Sequence, residues 1–237
     1  MSDSHCPRRT RQRLRTALVF ASATVCTALC AQPLVWSGRV GLASHWIVRG
    51  QQASDGDAPV VFAGADAYGS TGWSLGGAAL RLRDRDGNWS DGWSLHAGHE
   101  TAIDADWRWL VDLQHVGYEG SAALAAWRGP RLALGLAYGD RWSLTWNAEQ
   151  PRDQALAARS VDFNIRWPLR PQLSIGGGIG RVVSSQGPHN SYGQIGLTWH
   201  VGGWQAQLDR TWGPSNTGYG QPLGPRARWL AGTQWAF

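Results

Sequence analysis

ARWLAGTQWAF, Ala227 to Phe237, closes the chain. Read in steps of two, one face carries Ala227, Trp229, Ala231, Thr233, Trp235 and Phe237. The other carries Arg228, Leu230, Gly232, Gln234 and Ala236. A repeat of two is the mark of a strand, and an apolar face opposite a more polar one means two different environments. A free carboxylate beside an exposed aromatic is a poor end for a water-soluble domain. It suits a strand that closes a barrel in a membrane, with the aromatic at the membrane–water interface.

The N-terminus bears on compartment. Arg8, Arg9, Arg11, Arg13 and Arg15 form a basic region, followed by the apolar run TALVFASATVCTALC, Thr16 to Cys30. This three-part pattern predicts a signal peptide over residues 1–31, cut after Ala31 or alternatively after Ala28. The run is too short for a spanning helix, which needs about 20 residues. Cut after Ala31, the leader takes Cys6, Cys26 and Cys30 with it, so the mature chain has no thiol nucleophile, disulfide or thiolate metal site; a cut after Ala28 would leave Cys30 on the mature chain. It also takes five of the 22 Arg and one of the 17 acidic residues, leaving a net charge of +1. Nucleic acid is therefore not an expected partner.

Residues 32–237 have the size of one domain. The 16 Trp all lie there, and no further apolar run could span as a helix. Frequent Trp with short alternating segments is the expected signature of a membrane β-barrel with aromatic girdles. The alternation is clearest in the middle. Leu132, Leu134, Leu136 and Tyr138 alternate with smaller or polar residues, Gly139-Asp140 turns, and Trp142, Leu144, Trp146 and Ala148 follow, which predicts a hairpin. Further strands are expected over Trp36 to Arg49 and over Ala122 to Trp127. A bulge is expected at Gly76-Gly77, where the alternation slips. Single-chain bacterial barrels use even strand numbers, so the pattern predicts an all-β, transmembrane, antiparallel up-and-down barrel of about 12 strands. Short turns are expected at Pro168 to Pro171 and Gly202-Gly203. Longer outer loops are expected around Gln51, Gln150, Ser185 and Gly213 to Arg226.

The stretch GLASHWIVRGQQASDGDAPVVFAGADAYGSTGWSLGG, Gly41 to Gly77, resembles the opening of the TorF-like family of bacterial outer-membrane porins, conserved proteins of unknown function. Ser44, Arg49, Gly50, Gln52, Ser54, Asp55, Gly56, Asp57 and Pro59 fit the family pattern. His45 stands for its usual Asp and Trp46 for its Tyr. The terminal aromatic on an alternating strand similarly resembles the signal read during outer-membrane barrel assembly. The resemblance implies an outer-membrane location in a Gram-negative bacterium, with outer-membrane lipids and the assembly machinery as partners.

On the face opposite the apolar one, polar residues recur. Candidate pore-lining residues are Arg39, His45, Arg49, His96, Glu100, Arg108, Asp112, Arg141, Glu149, Asp162, Arg166 and Arg228. Arg and carboxylate ladders in a hydrated lumen would favour passage of small solutes or ions. The same ladders could pair across the barrel and close it, because small barrels fill with side chains. A non-conducting structural or adhesive barrel and an outer-membrane hydrolase are the alternatives. Against the hydrolase, Ser94, His96 and Glu100 share a face but are spaced by about 6.6 Å per two residues, which strains direct hydrogen bonding. His96 and His99 point to opposite faces and cannot chelate one metal. No catalytic residue, metal or cofactor is expected.

Overall fold

The computed structural model describes residues 34–48, 51–55, 58–84, 86–125, 127–152, 157–185, 189–213 and 227–237. The proposed leader and the loop after Gly213 lie outside them. Twelve strands form one closed antiparallel barrel. They are β1 (Val35–Ala43), β2 (Val60–Tyr68), β3 (Trp73–Arg83), β4 (Trp89–Ala102), β5 (Trp107–Glu119) and β6 (Gly129–Tyr138). Then come β7 (Trp142–Glu149), β8 (Ala158–Arg170), β9 (Leu173–Ser184), β10 (Asn190–Val201), β11 (Trp204–Trp212) and β12 (Ala227–Ala236). Each strand pairs with its neighbours in sequence, and β12 closes on β1 through Arg39↔Ala236 to Ala43↔Gly232.

The registers drift by about 16 residues around the ring, which sets a strand tilt of roughly 40–45° and a backbone diameter of about 24 Å. Side-chain alternation then sorts residues into a wall and a lining. Leu95 and Ile179 are each 62% exposed, and Ile165 51%, all on the outer face. These residues form an apolar band such as lipid would contact. The Trp residues bound this band. Trp36, Trp73, Trp107, Trp142, Trp167 and Trp199 lie toward the short-turn end, and Trp89, Trp93, Trp212 and Trp229 toward the other. The two girdles are about 20 Å apart along the axis, close to the height of a barrel's lipid-facing band.

The short-turn end holds the connections at Gly69 to Gly72, Ile103 to Asp106, Gly139 to Arg141, Pro171-Gln172 and Gly202-Gly203. Gly72, Gly139 and Gly202 have φ of 85°, 52° and 57°, a conformation that favours glycine. The C-terminus belongs to the same end. Gly38 N–H donates to the Phe237 carbonyl at 2.7 Å, and Phe237 N–H to the Gly38 carbonyl at 2.9 Å. The Phe237 ring lies over Gly38, where any Cβ would collide with it, and packs against Trp235 at 4.7 Å.

Several local expectations are corrected. The first strand stops at Ala43 rather than Arg49: Ser44 N–H caps onto the Ala231 carbonyl, and the chain folds back as the two-residue strands Ile47–Val48 and Gln51–Gln52. Ala122–Ala125 is one helical turn, not a strand, because Ser121 Oγ accepts the Leu124 N–H and Leu124 is buried beneath it. No bulge occurs at Gly76-Gly77; the register from Trp73 to Arg83 is unbroken. The apparent slip arises because Leu80 and Leu82 face inward, into an apolar cluster. The irregularity is instead between Pro168 and Arg170, where Pro168 has no N–H for the ladder. β8 therefore runs through the expected Pro168 turn to Arg170.

Candidate lumen and its mouth

Cross-strand register places seven inward polar residues beside inward glycines. Asp66 faces Gly76, Asp112 faces Gly98, Asp162 faces Gly180 and Asp209 faces Gly196. Arg39 faces Gly64, Asn164 Gly178 and Arg166 Gly176. The glycines are occupied space. A Cβ at Gly98 would stand 3.1 Å from Asp112 Oδ1, one at Gly180 2.6 Å from Asp162 Oδ1, and one at Gly196 would overlap the Asp209 carboxylate. Each carboxylate thus lies flat on the neighbouring strand instead of projecting toward the axis.

Hydrogen bonds hold these groups down. Asp162 accepts Asn147 Nδ2 at 2.7 Å and the Ser160 hydroxyl at 2.9 Å on one oxygen, and the Tyr192 hydroxyl on the other. Asp209 accepts Gln207 Nε2. Asp66 lies 3.3 Å from His96 Nε2. Glu149 is buried and pairs with Arg131 at 3.0 Å toward the loop end. Glu100 pairs with Arg108 at 2.9 Å toward the short-turn end, and Arg108 also donates to the Gly139 carbonyl at 2.6 Å. At mid-height, Asp66, Asp112, Asp162 and Asp209 face Arg39 and Arg166, and Arg166 reaches back to Asp140 at 3.9 Å. Among the described residues the waist is acidic.

The sequence-predicted residues divide accordingly. Arg39, His96, Glu100, Arg108, Asp112, Glu149, Asp162, Arg166 and Arg228 sit on the inward side of the registered strands. Arg141 does not line the wall: it lies in the turn before β7, its guanidinium 5.6 Å over the outer-face Trp167 ring. His45 lies past the end of β1, in the fold-back segment, and Arg49 is outside the described residues. Ser94, His96 and Glu100 share the inward face, but His96 engages Asp66 and Glu100 engages Arg108. No relay joins the three. Among the described residues no three metal-ligating side chains converge.

At the loop end the lining turns apolar. Val60 and Leu82 are fully buried and pack with Tyr118 and Leu124; Trp46, Ala53, Leu80 and Trp127 cover them. Trp46 N–H donates to Ser54 Oγ at 2.9 Å, Ala53 N–H to the Trp46 carbonyl at 2.8 Å, and Asp55 N–H to the Arg83 carbonyl at 2.9 Å. The fold-back is thus fastened across the mouth. Two groups there titrate away from their ordinary values. Burial lowers His45, Arg228 adds to this, and Asp55 opposes it. Burial raises Asp84, but hydrogen bonds from Ser121, Asn88 and Asp86 outweigh it and hold the carboxyl low. A cavity of about 200 Å³ beneath the fold-back is lined by His45, Phe62, Gln205, Gln207 and Gln234.

Sequence reading had singled out neither Tyr192 and Asn147 nor the Trp46–Trp127 cover. Tyr192 meets Asp162 from β10, two strands away, a contact that only the register reveals.

No protein-family model matches the sequence, and none of the curated proteins is similar to it. The fold has clear counterparts among solved structures. The chain is similar to the KdgM porin (TM-score 0.56, 10% identity, covering 85% of this chain and 99% of that one). It is equally similar to the NanC porin (TM-score 0.56, 10% identity, 85% and 99%). The KdgM porin in complex with disordered oligogalacturonate gives a TM-score of 0.54 at 10% identity over 86% and 99%. At such identity the likeness is one of fold: the 12-stranded architecture of these porins.

Proposed function

We propose that the protein is a passive-diffusion porin of the bacterial outer membrane, exported by a leader over residues 1–31 and passing small solutes or ions through the polar lumen of a barrel over 32–237. One observation carries the reading: the inward glycines registered opposite carboxylates and Arg seat those side chains against the wall and keep the wall charged. A barrel built only for stability would fill that space with apolar side chains. Arg39, His96, Glu100, Arg108, Asp112, Glu149, Asp162, Arg166 and Arg228 are the lining in this proposal, with Arg49 kept as a candidate from the sequence; His45 belongs to the mouth, and Arg141 serves the rim. The KdgM and NanC folds support it, as does the resemblance of Gly41 to Gly77 to the TorF-like porins. Those neighbours are porins and not enzymes, and the separation of Ser94, His96 and Glu100 into different ion pairs argues against a hydrolase. Lipids and the barrel-assembly machinery are the implied partners.

The test is single-channel conductance of the refolded mature protein in a planar bilayer. Discrete, reproducible steps are expected. Heat-modifiable, folded protein that gives no steps would overturn the proposal and favour the non-conducting barrel, for which the apolar cover at the mouth is the specific observation.

A further inference from the structure

The outer face of the barrel is mainly apolar, and near the loop end arginines recur on it. Arg159 on β8, Arg181 on β9 and Arg210 on β11 all share the outward parity of Val161, Ile179 and Leu208. Arg159 is registered opposite Val183, and Arg181 opposite Val161. The two arginines are therefore diagonal neighbours on one face, with Cβ atoms about 7–8 Å apart. Arg210, registered opposite Ile195, lies two strands on and about 16 Å from Arg181.

Residues that are register partners lie at different heights, because the strands tilt. Correcting by about 1.3 residues per strand brings Arg159, Arg181 and Arg210 to within about two residues of one level. That level is the upper edge of the apolar band, alongside the Trp212 and Trp229 girdle. The Arg210 guanidinium stacks 5.2 Å over the Trp229 ring. A stacked guanidinium keeps its edge donors free for an anion.

The charge here is one-sided. Among the described residues of β7 to β12, no Asp or Glu has outward parity. The opposite wall is different: there Arg81 lies 3.9 Å from Asp91, on the outward face. Two exposed cations, Arg159 and Arg181, and the half-buried Arg210 lie beside apolar surface at an interface, without a facing carboxylate, and complement a lipid whose headgroup carries phosphates. The inference rests on the outer-membrane reading, in which the loop end faces outward. We propose that Arg159, Arg181 and Arg210 form a docking face for the phosphates of the phosphorylated glycolipid of the outer leaflet, with the acyl chains lying on Ile179, Ile195 and Leu208.

The experiment is native mass spectrometry of the detergent-purified mature barrel, titrated with bisphosphoryl lipid A, its monophosphoryl form and phosphatidylglycerol. Saturable binding of the bisphosphoryl lipid is expected, weaker for the monophosphoryl form and weakest for phosphatidylglycerol. The R159Q/R181Q/R210Q variant should lose at least tenfold in affinity, and R81Q less than twofold. Equal binding by the triple variant, or equal binding of phosphatidylglycerol, overturns the proposal. Heat modifiability reports whether the variant is folded. Channel steps, measured separately, report on the porin reading, so that either idea can fail alone.

Discussion

An acidic waist makes a definite claim about ions. Asp66, Asp112, Asp162 and Asp209 stand at mid-height against Arg39 and Arg166, so potassium should pass more readily than chloride. The perturbation to make is Asp112→Asn with Asp209→Asn, because Asn keeps the shape and removes the charge. A carboxylate about 6 Å from an ion in water-like dielectric contributes about 0.7 kcal/mol, and screening at 0.1 M salt reduces this to about 0.4 kcal/mol. That is about a twofold weight on a cation and the inverse on an anion, so each carboxylate shifts the permeability ratio about fourfold. Losing two should shift it about fifteenfold toward chloride. At 1 M salt the Debye length falls to about 3 Å, and each charge should then shift the ratio less than about 1.5-fold. The assay is the reversal potential across a bilayer under a KCl gradient, at both salt levels. Channels of ordinary conductance whose ratio does not respond to the substitutions, or responds equally at 1 M, would refute the reasoning.

Trp46→Ala should uncover Val60 and Leu82 and raise unitary conductance, read in the same bilayers; unchanged conductance would mean the cover is off the conduction path. Gly196→Val should force Asp209 from its seat and overpack the wall, lowering stability by about 1–3 kcal/mol in urea unfolding from micelles. Gly38→Val should displace the Phe237 ring and slow refolding followed by heat modifiability, whereas Gly232→Ala, where a Cβ meets its nearest neighbour at 3.4 Å, should be milder. The mouth should loosen on acidification. His45 is held below its ordinary 6.5, so the unfolded segment takes the proton first and stability is lost as pH falls through that value. Asp84 is held below 3.8, so its contribution persists until lower pH and then disappears. Protection of the Trp46 and Ala53 amides, exchange being taken relative to its intrinsic rate at each pH, should fall below about pH 6.5, and His45→Gln should remove that first step.

Strand number, the hairpin at Gly139-Asp140 and the split between wall and lining were legible because a repeat of two survives wherever one face meets lipid and the other water. The errors cluster where that rule lapses. Leu80 and Leu82 face inward yet are apolar, because the mouth carries its own small core; reading them as outward created the false bulge at Gly76. Ala122 to Trp127 has no alternation to separate strand from helix, and a capping Ser121 decided it. Arg141 has inward parity, but parity governs a strand and not the turn before one, and the Trp167 face drew the guanidinium over the rim.

The glycines show most clearly how composition becomes function here. Within a strand a glycine weakens packing and adds chain entropy to be lost on folding. A chain with 31 of them would be a poor barrel if they were scattered. Register converts the loss into space: Gly76, Gly98, Gly180 and Gly196 each receive a carboxylate from the next strand. The wall then presents charge along its length from side chains seated against it. Shifting one such strand by a single residue would send its acids to the outer face and its Trp to the inner one, so the same pairs that seat the carboxylates also penalise the wrong register.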